Sequence, residues 1–221
     1  LFEDYVYVSG TSHVFVNHFK NYAEKILSQF KPKKEFLIID IGSNDGTLLS
    51  FFKDNGYEVL GVDPAKKISN NASESGVNTI TDFFTCELAK TIKSKFKQAS
   101  VITANNVFAH ADNLKDIIMG IKELLSIDGI FVFEVSYLVD VLEKNLFDTI
   151  YHEHLSYHSV KPLEKFFLEN DLELFSVERV NTHGGSIRGY VQLKGSSRQK
   201  DGSVEQLINY ENSIGLSDPQ T

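Results

Sequence analysis

Cysteine is all but missing from this chain. Cys86 is the single one among 221 residues, so no disulfide can close within the chain and no cysteine set can hold a structural zinc. Positive charge is also short. Lys and Arg number 22 against 30 Asp and Glu, which leaves a net charge of −8. With no basic stripe or tail, that balance argues against a nucleic-acid partner and against an anionic membrane surface. No apolar run approaches the roughly 20 residues of a membrane span, and no signal peptide is visible; a cytoplasmic location is the expectation. Repeats and low-complexity tracts are lacking too. The remaining composition, 42% hydrophobic and 24% charged, is ordinary for one globular α/β domain with an appendage.

What is present centres on Phe36–Leu49, FLIIDIGSNDGTLL. The apolar run Phe36–Ile41 reads as a buried parallel strand. It breaks at Gly42-Ser43-Asn44-Asp45-Gly46 and resumes with helical spacing from Thr47. Strand, glycine turn and helix in that order make a nucleotide-binding corner, because glycine admits positive φ and close approach of a ligand, and the helix start offers free N–H groups. A dinucleotide site needs G-x-G-x-x-G; here Asn44 and Thr47 stand at the second and third glycine positions. Asp40 and Asp45 would repel a pyrophosphate. They suit a cationic ligand with an amino group, such as the methionine end of S-adenosyl-L-methionine. Asp63, closing the next strand, can accept hydrogen bonds from both ribose hydroxyls.

Strands are expected at Tyr57–Val62, Val77–Thr81, Ser100–Ala104 and Ile130–Val135, the last entered by a turn at Asp128-Gly129. Helices are expected at Val14–Phe30, Thr47–Asn55, Pro64–Ser75, Glu87–Phe96, Leu114–Leu125 and Pro162–Asn170. Alternation at this spacing gives a doubly wound, Rossmann-like, mostly parallel α/β sheet. Glu173–Val180 and Ser186–Lys194 would close it as an antiparallel pair, and Val204–Ser213 reads as helical. The leading helix would cover the mouth of the site or one side of the sheet. Asp82 and Phe83 could read an adenine by carboxylate and ring, although core packing explains the Phe83-Phe84 pair equally well. Asn105, Asn106 and His110 lie beyond a strand's carboxyl end, where open sheets bind ligands.

A second constellation runs from Phe147 to Ser159, FDTIYHEHLSYHS. Tyr151, Glu153 and His154 supply a phenol, a carboxylate and a base in one short stretch. A metal set of His152, His154 and His158 departs from the H-E-x-x-H spacing, so no metal is expected. In Thr182-His183-Gly184-Gly185-Ser186-Ile187-Arg188, Arg188 could meet an anionic group, or the glycines could serve only a tight hairpin.

The ordered segments YVYVSGTS, DIGSNDGTLL, GVDPA, NNVFAHADNL, FEVSYLVD, FDTIYHEHLSYHS and HGGSIR resemble the S-adenosylmethionine-dependent sugar C-methyltransferases, over about Tyr5 to Tyr190. The resemblance implies a class I methyltransferase that methylates a nucleotide-linked 4-keto-deoxysugar. It implies that Gly42, Asn44, Asp45 and Gly46 hold the cofactor's amino-acid end, that Asp63 holds the ribose, that Asp82 and Phe83 flank adenine, and that Asn105 closes the site. It makes His154 the base, with Tyr151, Glu153, His110 and either Tyr7 or Tyr5 as further active-site residues. Family members usually carry a small cysteine-ligated zinc domain in front and a longer sugar-binding domain behind. This chain shows neither and starts in mid-pattern, so a truncated chain is expected. The expected division is a covering segment at 1–30, a cofactor-binding domain at 31–195 and the start of a further region at 196–221. An O- or N-methyltransferase on a small molecule, or a non-catalytic cofactor-binding domain, would share the glycine turn.

Overall fold

The structure, a computed structural model, describes residues 8–182 and 184–217; Tyr5, Tyr7 and His183 lie outside them. Five parallel strands come first: β1 (Leu37–Ile41), β2 (Val59–Val62), β3 (Thr79–Ile80), β4 (Ala99–Asn105) and β5 (Leu125–Ser136). Two more, β6 (Leu172–Val180) and β7 (Ser186–Leu193), complete a seven-stranded sheet in the order β3-β2-β1-β4-β5-β7-β6. β7 runs antiparallel to both of its neighbours. The expected doubly wound sheet and its closing antiparallel pair are therefore present.

The helices follow the same alternation: α1 (His13–Phe30), α2 (Thr47–Asp54), α3 (Lys66–Glu74), α4 (Cys86–Lys95), α5 (Leu114–Leu124), α6 (Leu138–Glu143), α7 (Val160–Glu169) and α8 (Ser203–Ser213). The central strands are apolar on both faces because each face meets helices. Leu37, Ile39 and Ile41 of β1 enter one core with residues of α4, α5 and α7, whereas Ile38 enters the other with Tyr22 and Ile26 of α1 and Phe52 of α2. Phe131 and Phe133 against Ile130 and Val132 repeat that two-residue period in β5. Among the described residues no helix is long and apolar enough to cross a membrane.

One reading needs correction. Asp128-Gly129 is not a turn before β5 but part of it. Leu125 pairs with Ala99 and Ile130 with Val101, so the extra length of β5 bulges outward there and leaves Ile127 and Asp128 exposed. Helix α8 places Val204 in the larger core, with Leu207 and Ile208 packed against it.

Gly189 of β7 shows how tightly the antiparallel part is packed. A Cβ there would fall on the edge of the Phe133 ring and 3.0 Å from Leu174 Cδ1. Since cores resist added volume, Gly189→Ala should cost about 1–3 kcal/mol. Urea titration checks this, and an unchanged midpoint would mean that the sheet gives way there freely.

Candidate active site

The parallel strands end at one edge of the sheet, and a cavity of about 790 Å³ opens there. Its floor is the glycine turn. Gly42 has φ 70 and Asn44 φ 51, while Gly46, at φ 77, caps α2. A Cβ on Gly42 would stand 2.8 Å from Val107 Cγ2, so glycine is required there for space as well as for torsion.

Asp63 is buried at this edge. Its Oδ2 accepts the Asn44 N–H at 2.8 Å and its Oδ1 the Ala65 N–H at 2.8 Å. Burial raises its pKa, and these two bonds hold it back. A carboxylate has about four acceptor sites, which leaves Asp63 capacity for two ribose hydroxyls. Asp40, 4% exposed, accepts the Thr103 hydroxyl at 2.6 Å. Burial pushes its pKa up to about 7 against that hydrogen bond, and nearby Asp63 adds to the rise.

Asn44 and Asp45 line the cavity but are already engaged. The Ser9 N–H donates to Asn44 Oδ1 at 2.9 Å, and the Gly10 N–H to Asp45 Oδ2 at 2.9 Å. Asp45 Oδ1 accepts from the Thr47 N–H at 3.2 Å and from its hydroxyl at 2.7 Å. The turn therefore grips the segment before α1, a contact that residue-by-residue reading of the sequence did not supply.

Two buried oxygens at this end, Ser43 Oγ and Asn105 Oδ1, have no hydrogen-bond partner, and both residues line the cavity. Orphaned groups of this kind are rare in folded proteins; Ser43 Oγ packs toward Gly61 and Thr79. With the open face of the turn and the spare capacity of Asp63, the residues fit S-adenosylmethionine. Phe83 lines the cavity with a 47% exposed side chain, whereas Phe84 belongs mainly to the core. Asp82 is not among the lining residues; its carboxylate accepts the Phe83 N–H at 2.8 Å.

The other wall is the 147–159 segment. The Thr149 carbonyl accepts a hydrogen bond from His154 Nδ1 at 2.8 Å, so the ring proton sits on Nδ1. Nε2 is then the acceptor for the Tyr151 hydroxyl at 2.9 Å. His110 lies alongside, its ring centre 4.9 Å from that of His154, and its Nδ1 donates to the Glu153 carbonyl at 2.8 Å. Burial lowers the His110 pKa, and His154 adds to this. Tyr151, His154 and His110 all line the cavity. Glu153 does not line the cavity and contributes its backbone carbonyl to His110; the acceptor that orients His154 is the Thr149 carbonyl. His158 is buried, its Nε2 3.1 Å from Ser156 Oγ, and it does not line the cavity.

Arg188 is not available to an anionic ligand. Its Nε and Nη2 donate to Glu134 Oε2 at 3.0 and 2.8 Å, and its guanidinium lies 4.1 Å from the centre of the Tyr22 ring. Two further lining residues went unread in the sequence, Ser136 at the end of β5 and Asp148, and Phe15 and Phe19 of α1 line the cavity as well. Phe15 and Phe19 repeat at four-residue spacing, which marks a helix face but not what that face meets.

Comparison with known proteins agrees with this geometry. Residues 15–177 match the family model described as a methyltransferase domain. The chain is 32% identical over 217 residues to the C-methyltransferase NovU of Streptomyces niveus, covering 98% of this chain and 52% of that protein. It thus spans about half the length of that curated relative. Among solved structures it is similar to the magnesium protoporphyrin IX methyltransferase of Synechocystis with bound S-adenosylhomocysteine (TM-score 0.61, 14% identity, 82% of this chain and 88% of that one). It is similar also to an S-adenosylmethionine-dependent methyltransferase of Clostridium acetobutylicum (TM-score 0.62, 11% identity, 81% and 92%). The chain belongs to the methyltransferase domain family.

Proposed function

We propose that this chain is the catalytic core of a C-methyltransferase acting on a nucleotide-linked keto-deoxysugar. The observation that carries the reading is the Tyr151–His154 pair at 2.9 Å, set across one cavity from the glycine turn and Asp63. A base aimed at the space beside a methyl-donor site suits removal of a proton next to a ketone. The relative's name, a C-methyltransferase, supports carbon as the acceptor. Among the described residues no Lys or Arg lines the cavity, so it suits a sugar ring better than a diphosphate.

S-adenosylmethionine supplies an electrophilic methyl group when bound. Gly42, Asn44 and Asp63 would seat it, and Asn105 would close over it. His154 Nε2 is the proton acceptor in this reading. To act, it exchanges the Tyr151 hydroxyl for the substrate C–H, and the freed hydroxyl can donate to the ketone oxygen, where negative charge gathers as the C–H electrons shift into the enolate. The enolate carbon would take the methyl group from the cofactor held by Gly42, Asn44 and Asp63, with the electrons of the broken C–S bond left on sulfur. Thr149 holds the Nδ1 proton throughout, so the ring accepts at one nitrogen only.

The cofactor half is tested at Asp63. Because its carboxylate also holds two N–H groups, Asp63→Asn is gentler than Asp63→Ala. A hydrogen bond to a charged group contributes about 1.5–3 kcal/mol, so Asp63→Asn should weaken S-adenosylmethionine binding by about tenfold or more. Unchanged affinity by calorimetry would remove Asp63 from the site.

The chemical half is tested at His154. His154→Gln should leave cofactor affinity and thermal stability nearly unchanged and lower turnover by about 10²-fold or more. It should also stop the cofactor-independent exchange of the hydrogen beside the ketone of a nucleotide-linked 4-keto-6-deoxyhexose. Wild-type exchange in this variant would discard His154 as the base. Methyl transfer by the wild type to oxygen or nitrogen would discard the carbon-acceptor reading.

A further inference from the structure

The segment that carries Tyr151 and His154 runs directly into α7, and α7 borrows its cap. Ser159, at the N-cap, makes no side-chain hydrogen bond to the first turn. Glu211 of α8 fills that place. Its side chain is 1% exposed. Oε1 accepts the Val160 N–H at 2.6 Å, and Oε2 the Lys161 N–H at 3.0 Å. Oε1 also accepts the Tyr137 hydroxyl at 2.9 Å.

Among the described residues no Lys, Arg or His forms an ion pair with this carboxylate. The free N–H groups and positive end of α7 are what stabilise it. Tyr137 extends the link. It follows β5 as the N-cap of α6, donates its N–H to the Gly185 carbonyl at 3.2 Å and bridges to His158, whose carbonyl accepts the Leu138 N–H at 2.9 Å. Glu211 thus joins the start of α7 to the residue that holds the last part of the 147–159 segment. Elsewhere that segment rests on the Ala109 carbonyl, through the N–H groups of Leu155 and Ser156, and on His110.

We propose that Glu211 is a positioning residue: it fixes the downstream end of the 150–159 segment so that His154 and Tyr151 face the cavity. It does not line the cavity itself, and it lies outside residues 15–177 of the family match. The part of the chain after β7 is therefore needed to aim the base, although it contributes nothing to the cofactor's seat. The activity arm of the test rests on the functional reading above; the structural arms do not.

Glu211→Ala and Glu211→Gln are made in the full protein. Amide hydrogen exchange, read by mass spectrometry, should rise at least tenfold over 150–162 in Glu211→Ala and stay unchanged over 37–63. The Nδ1–H tautomer of His154, read from its ring nitrogen shifts, should be lost. Cofactor affinity should stay within twofold while turnover falls about tenfold or more. Glu211→Gln, which keeps one acceptor oxygen, should fall between, and it decides the matter if the Ala variant does not fold. Wild-type protection and tautomer in the variants would overturn the inference, as would a loss of protection shared equally by 37–63, which would mark general destabilisation. If the wild type neither exchanges the substrate hydrogen nor transfers methyl, the functional reading fails, while protection and tautomer still decide the role of Glu211.

Discussion

The carboxylate of Glu134 sets conditions that much of the molecule meets. It stands near the end of β5 with 4% of its surface exposed. Such a charge is tolerated only with partners. Burial alone would raise its pKa, yet the hydrogen bond from His18, the charge of Arg188 and the Thr182 hydroxyl hold it below the ordinary range. Each partner comes from a different part of the chain. Arg188 is its register partner on β7, His18 reaches across from α1 at 2.9 Å, and Thr182 lies in the turn between β6 and β7. One ionised group therefore holds together the leading helix, the centre of the sheet and its antiparallel edge. Breaking such a buried pair from one side costs on the order of 3–5 kcal/mol.

That anchoring has a consequence for the cavity. α1 is held over the sheet by His18 and by the packing of Tyr22, Ala23 and Ile26, and this brings Phe15 and Phe19 to the cavity wall. The floor is polar and the lid aromatic. The carboxylates on the floor are not equivalent. Asp63 is fixed by two peptide N–H groups, whereas Asp40 has one hydroxyl and deep burial, which places its titration near neutrality.

Much of the cofactor half was legible because it is local. Phe36–Leu49 carries strand, turn and helix in one stretch, and Asp63 follows within one further strand, so spacing alone orders them. The pair Tyr151 and His154 was legible as chemistry for the same reason. The partners were not. Thr149, the orienting acceptor for His154, offers only a backbone carbonyl, which no side-chain pattern announces. Arg188 looked available because Glu134 is 54 positions away, and only the register of β5 with β7 brings them together. The grip of Asn44 and Asp45 on Ser9 and Gly10 likewise depends on where a distant segment lands. The outward bulge of β5 at Asp128-Gly129 resembled a turn because bulges use the same residues.

The strand order also bears on how the protein is made. β7 is the last strand among the described residues, yet it lies inside the sheet, between β5 and β6. As the chain emerges during synthesis, β1 to β5 can assemble, but β5 must wait with an open edge until residues 186–193 appear. Such long-range pairing is slow, because the intervening loop must be ordered before the contact forms. Until then Glu134 lacks its register partner Arg188, although His18 of α1 is already made. A charge on an open edge strand disfavours pairing with a neighbouring chain, so the residue that later locks the native sheet also suits the incomplete one.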